Sequence, residues 1–198
     1  MTPQMRVAAG TCVWLLTAAL MLPAVAGAQP SFSLGLGIGA TQFDADERGI
    51  AREFPDLQPD FDIDESATSF RLFGSWLFDP RLALDLDLLY LGDLIAEDAN
   101  GRDRLFSVGG VTTAVRLQHR FNDRLKGFAR LGGFLWTSST SADDNIDEGF
   151  DITYGAGVDI SIHNEFKRAL RLEWNRFDFN GVTLDAADTF TASLVFDL

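Results

Sequence analysis

The chain closes on a stretch, Asp188 to Leu198, in which Phe190, Ala192, Leu194, Phe196 and Leu198 alternate with Thr189, Thr191, Ser193 and Asp197. A period of two gives a strand one apolar and one mostly polar face. Such a strand, ending an exported chain, suits a barrel that stands in lipid around a polar interior.

Export is read from the other end. Arg6 and the amino terminus form a positive n-region, and Val13–Leu22 a short apolar core. Pro23 then leads to Ala26-Gly27-Ala28, with cleavage expected between Ala28 and Gln29. The expected organisation is therefore a signal peptide over 1–28 and one barrel domain over 29–198. The apolar core falls short of the ~20 residues that a spanning helix needs. Cys12, the only cysteine, lies in the signal, so the mature chain is expected to lack thiols, disulfides and cysteine-ligated metals. Formal charge is −13, and removing a segment whose one charged side chain is Arg6 takes it to −14. That excess of acid disfavours nucleic acid as a partner. No later apolar run could cross a bilayer as a helix, so insertion requires a closed sheet.

Eight alternating segments are legible: Phe32–Phe43, Ala67–Phe78, Leu82–Leu91, Ser107–Phe121, Leu125–Thr137, Phe150–Ile162, Ala169–Phe177 and the closing strand. They predict an all-β fold, an eight-stranded antiparallel up-and-down transmembrane barrel. In the first, Phe32, Leu34, Leu36 and Ile38 face lipid, and Gly35, Gly37 and Gly39 leave room in a narrow lumen. The fifth does not alternate cleanly. Strict alternation sends Phe128, Phe134 and Trp136 inward with Arg130, and a bulge at Gly132-Gly133 is expected to return Phe134 and Trp136 to lipid. Short turns at Asp79-Pro80-Arg81, Asn122-Asp123-Arg124 and His163–Arg168 are expected on the periplasmic side. The longer connections, the longest from Asp44 to Ser66, are expected outside.

The later half of the chain resembles the transmembrane domain of outer membrane protein A and its relatives. The resemblance rests on Gly127–Trp136, on Tyr154-Gly-Ala-Gly-Val158 and on Leu170-Arg-Leu-Glu-Trp174. Residues Phe190–Leu198 resemble the terminal signal read by the barrel-assembly machinery, with Leu198 where phenylalanine is commoner. The resemblance implies an eight-stranded barrel in the bacterial outer membrane, of the small kind without a peptidoglycan-binding domain. It also implies that Arg171, in the Arg-Leu-Glu-aromatic motif, takes part in an interior ion network.

Inward positions carry Arg71, Arg116, Arg130 and Arg171 against Asp85, Asp87, Asp159 and Glu173. In so narrow a lumen these charges must pair, because an unpaired buried charge is costly. Two readings stand: a network that fills the barrel, and a gate in which re-pairing of Arg171 opens a water path, so that Arg171→Ala raises conductance. Trp76, Tyr90, Trp136 and Trp174 suit aromatic girdles at the headgroup level, and Arg176 is placed to meet a lipid phosphate.

The exterior loops are acidic at Asp56, Asp60, Asp62, Asp64 and Glu65, and at Asp143, Asp144, Asp147 and Glu148. Neither run has the glycine a calcium loop wants at its sixth position. The two histidines, His119 and His163, fall at the periplasmic ends, and Ser161 beside His163 makes no triad by itself. No catalytic, cofactor or metal site is expected. The expected partners are outer-membrane lipid with lipopolysaccharide and the assembly machinery, for a monomer whose role is structural or surface-interactive. A small-solute pore is the rival reading, and a lipid A-modifying enzyme a weaker one.

Overall fold

The computed structural model describes residues 31–45, 61–98, 103–140, 147–163, 168–180 and 184–198. The signal segment, most of the first long connection and the acidic run 141–146 lie outside the described residues.

Among the described residues nine strands are formed: β1 Ser31–Ala45, β2 Phe61–Asp64, β3 Ser66–Asp79, β4 Leu82–Asp98, β5 Asp103–Arg120, β6 Leu125–Thr140, β7 Asp147–His163, β8 Arg168–Asp178 and β9 Leu184–Asp197. Eight of them, all but β2, pair antiparallel with their neighbours in chain order, and β1 pairs with β9 to close the barrel. The small extra strand β2 lies within the long connection and pairs with Ile95–Asp98 at the far end of β4. Closure leaves no unpaired edge around the wall, the condition for a sheet to stand in hydrocarbon.

The expected faces account for the wall. Leu36, Ile38, Leu72, Leu88, Leu117, Leu131, Ile152 and Phe190 are each more than half exposed, and together they form a continuous apolar exterior. So large an exposed apolar band belongs in lipid. Most strands run further than their alternating cores. β4 and β5 extend to Asp98 and Asp103, so much of what reads as a long polar loop is a hairpin carried past the band.

The expected bulge in β6 is not formed. β6 pairs without a register break along both β5 and β7, and Phe134 and Trp136 are fully buried inside the barrel. An irregularity inside the wall sits in β4 instead, between Tyr90 and Gly92. Further register shifts fall near strand ends at Asp44/Ala45, Leu77/Asp79 and Ser161/His163. In β4 Leu91 is the extra residue, which turns both Leu91 and Leu94 into the lumen. Gly92 has φ +108°, and a Cβ on it would lie 2.5 Å from the Ala67 Cβ and 2.7 Å from the Thr68 carbonyl oxygen. Both the dihedral and the space exclude a side chain. Gly92→Ala is expected to destabilise the barrel by about 1–3 kcal/mol, read from the denaturant midpoint in detergent. An unchanged midpoint would contradict the left-handed geometry.

Candidate functional site: the barrel interior

The lumen holds two tiers. The tier nearer the short turns is ionic. β3, β4, β6 and β8 bring Arg71, Asp87, Arg130 and Glu173 together. Arg71 donates to Asp87 at 2.8 and 3.2 Å and to Glu173 at 2.5 Å, and Arg130 donates to Glu173 at 3.0 Å and also to Asp87. The Thr112 hydroxyl donates to Asp87 as well, so this carboxylate serves three side chains. One step closer to the turns, Arg116 donates through Nε to both oxygens of Asp85, at 3.2 and 3.0 Å, and through Nη1 to Gln118 at 2.7 Å. Arg171 grips Asp159 with two hydrogen bonds of 2.7 and 3.0 Å. Arg116 reaches the same Asp159 at 3.7 Å.

All eight charges singled out from the sequence are therefore buried, and every one has a counter-ion. The elements explain this: each charge occupies an inward position of an alternating strand, and register puts Asp159 opposite Arg171 and Arg116 opposite Arg130. Arg171 pairs with Asp159 across the strand rather than with Glu173 of its own motif.

Two rings seal the ionic tier: Phe128, which alternation sends inward with Arg130, and Phe73, which the sequence reading missed. The Arg71 guanidinium lies 4.4 Å from the Phe73 ring centre, and that of Arg171 lies 4.9 Å from Phe73 and 4.8 Å from Phe128. Desolvated cation–π contacts of this kind are worth about 2 kcal/mol each. Gly35 makes room for Phe73, since a Cβ there would sit 2.2 Å from the ring. Alternation from Arg71 signals an inward Phe73, but its apolar character hides it among lipid-facing neighbours.

The second tier, toward the long connections, is apolar. Phe43, Leu91, Leu94, Phe106, Val108, Phe134, Trp136, Phe177, Phe179 and Leu184 pack as one buried cluster. Phe134 packs against Phe177 with tilted rings at 4.8 Å and Trp136 meets Phe179 edge-on at 5.0 Å. Among the described residues one buried carboxylate enters this tier. Asp151, buried, accepts from Trp136 Nε1 at 2.7 Å and from the Asn180 side chain and backbone at 2.5 and 3.2 Å.

Trp136 is thus no girdle residue, contrary to the sequence expectation. Its indole closes the lumen because the β6 register is unbroken. Trp76, Tyr90 and Trp174 do lie on the outer surface. Trp76 packs on Phe32 at 4.8 Å, Tyr90 donates to Asp93 at 2.5 Å, and Trp174 donates to Asp188 at 3.0 Å. Arg176, expected to meet a lipid phosphate, is paired with Asp178 at 3.1 Å and Asp188 at 2.7 Å. His119 is exposed with its ring edge-on to Phe121 at 5.2 Å, and the His163 side chain falls outside the described residues. Of the acidic-loop carboxylates, Asp56, Asp60, Asp143 and Asp144 also lie outside them, whereas Asp64 ends β2 and Asp147 and Glu148 begin β7.

Known proteins share both sequence and architecture with this chain. Outer membrane protein A of Klebsiella aerogenes is 27% identical over 115 residues, covering 56% of this chain and 32% of the relative. That of Shigella dysenteriae is 25% identical over 112 residues, covering 52% and 31%. The chain spans about a third of the length of these curated relatives. Neisserial surface protein A superposes with a TM-score of 0.64 at 9% identity, over 86% of this chain and all of that one. OprG of Pseudomonas aeruginosa gives 0.55 at 9% identity, over 85% and 95%. Ail, the attachment invasion locus protein of Yersinia pestis, gives 0.54 at 14% identity, over 85% and 97%. At these identities the structural likeness shows the fold. The family described as outer membrane protein beta-barrel domain matches residues 12–197, so the chain belongs to that family, as a bacterial outer-membrane barrel resembling outer membrane protein A.

Proposed function

We propose that this barrel is a closed, non-catalytic envelope protein. It stabilises the outer membrane and displays an acidic surface outside, with the short turns facing the periplasm. The observation that carries the reading is the apolar cluster around Phe134 and Trp136 stacked above the paired ions. A solute would have to displace both a dry aromatic tier and a set of buried ion pairs, each costing several kcal/mol to separate.

Carboxylates dominate the loop end: Asp64, Glu148 and Asp185 are exposed there. Ail has been solved with a heparin analogue, sucrose octasulfate. An acidic rim repels such a polyanion, so a cationic partner, or divalent ions shared with lipopolysaccharide phosphates, suits this chain better. Insertion would follow delivery of the Phe190–Leu198 strand to the barrel-assembly machinery, and the closed β1–β9 seam supports a monomer.

A narrow gated water path is the second reading, and it has its own support. The inward hydroxyls of Thr189, Thr191 and Ser193 on β9 have no hydrogen-bond partner among the described residues, so water could serve them. Liposome swelling with arabinose, and planar-bilayer recording, separate the two. Closure predicts swelling at the protein-free rate for the wild type and no added conductance for Arg171→Ala. Solute entry above background, or stepwise currents in the variant, would favour the gate.

A further inference from the structure

Beneath the ionic tier, at the end bearing the short turns, the barrel opens into a cavity of about 340 Å³. Its lining is cationic in a chain that is otherwise strongly acidic: Arg116, Arg120, Lys126, Arg168 and Arg171 against Asp123, Asp159 and Asp197. Two of these cations are already committed, Arg116 to Asp85 and Arg171 to Asp159. Two others are not. Arg120 and Lys126 are Cα partners across β5 and β6, both at inward positions, and neither has a carboxylate within ion-pair distance among the described residues.

The second observation comes from Arg171. The residue is 1% exposed and spends Nε and Nη2 on Asp159, yet its Nη1 has no hydrogen-bond partner. A buried guanidinium N–H left unpaired is costly, so such a donor calls for an acceptor. Asp159 is engaged side-on through Nε and Nη2, and no hydrogen bond reaches Nη1. Arg171 is itself among the residues that line the cavity.

We propose that this vestibule is a binding site for a small oxyanion, a phosphate or a carboxylate group. Arg171 Nη1 is the buried donor at its floor, and Lys126 and Arg120 are the cations at its mouth. Several N–H donors on fixed strands match a multi-oxygen anion, and each charge-assisted bond is short and strong. The protein's overall negative charge does not prevent this. β5 alone runs ~55 Å from the loop end to Arg120 at ~3.3 Å per residue, several times the ~8 Å screening length at physiological salt. Locally the anion meets cations.

The test uses the full processed protein in detergent micelles, titrated calorimetrically with inorganic phosphate and separately with acetate at low ionic strength. Saturable binding of either is expected, and which of the two binds tells a phosphate from a carboxylate site. Lys126→Gln and Arg120→Gln should each weaken it roughly tenfold, the effect of losing one charge-assisted hydrogen bond. Both positions lie at the mouth, so the variants should fold as the wild type does. Arg81→Gln, on the outer side of a neighbouring turn, should leave affinity unchanged. No saturable binding of either anion, or equal affinity in Lys126→Gln and Arg120→Gln, would overturn the site. Loss in Arg81→Gln comparable to that in Lys126→Gln would do the same, by showing diffuse attraction to surface charge.

Discussion

Asp87→Ala should be the most damaging single change in the lumen, costing about 3–5 kcal/mol of stability. The carboxylate accepts from Arg71, Arg130 and Thr112, and all four side chains are buried. Removing it leaves two guanidinium groups sharing Glu173 alone, in a space too dry to hydrate them. Urea-driven unfolding from lipid vesicles would measure the loss, and the gel shift between unheated and boiled samples would follow it qualitatively. Asp188→Ala is the control. It removes an equally short ion pair, Asp188 to Arg176 at 2.7 Å, but both partners are about a third exposed. Solvent screening should hold its cost below about 1 kcal/mol. Equal losses in the two variants would mean that burial does not set the strength of the network. A double variant, Arg71→Met with Asp87→Leu, should be milder than Asp87→Ala. It deletes one cation with the carboxylate and leaves Glu173 to neutralise Arg130.

The same contrast explains which parts of the molecule were legible in the sequence. Alternation is informative only where one face is apolar and the other polar. It placed Asp85, Asp87, Arg116, Asp159, Arg171 and Glu173 inward because ions cannot face lipid, and the register then fixes who meets whom. Toward the loop end both faces of the wall are apolar, and the pattern loses its contrast. Phe134 and Trp136 look like lipid-facing residues in that half, and a bulge at two adjacent glycines offered a ready way to turn them out. The glycines pair regularly instead. The real bulge carried a fainter mark, the three-residue spacing of Leu91 and Leu94 around Gly92. The long connections were legible in position but not in form. Their polar composition reads as loop, yet the backbone there continues the ladder as extended hairpins and adds β2. The basic vestibule was hidden for another reason. Its cations lie on β5, β6 and β8 and converge only through closure of the barrel.

Phe134→Ala should cost about 3–5 kcal/mol, the range for deleting a buried ring whose neighbours cannot collapse into the space. The ring is fully buried and packs on Phe177 and Phe179, on strand and loop positions held by the barrel wall. Leu135→Ala is the matched comparison, one residue along on the opposite face and 43% exposed. Lipid chains fill the space it leaves, and they are as apolar as leucine, so its cost should stay below about 1.5 kcal/mol. The order of the two effects tests the register of β6 directly. A bulge at Gly132-Gly133 would put Phe134 in lipid and Leu135 in the lumen, and would invert the order. Conductance separates the two tiers. With the ring gone the apolar tier has a hole, yet the ion pairs of Arg71, Arg130 and Arg171 still fill the section below it. Planar-bilayer currents for Phe134→Ala should therefore stay at the wild-type level, and a new open state would show that the aromatic tier alone had been holding the lumen shut.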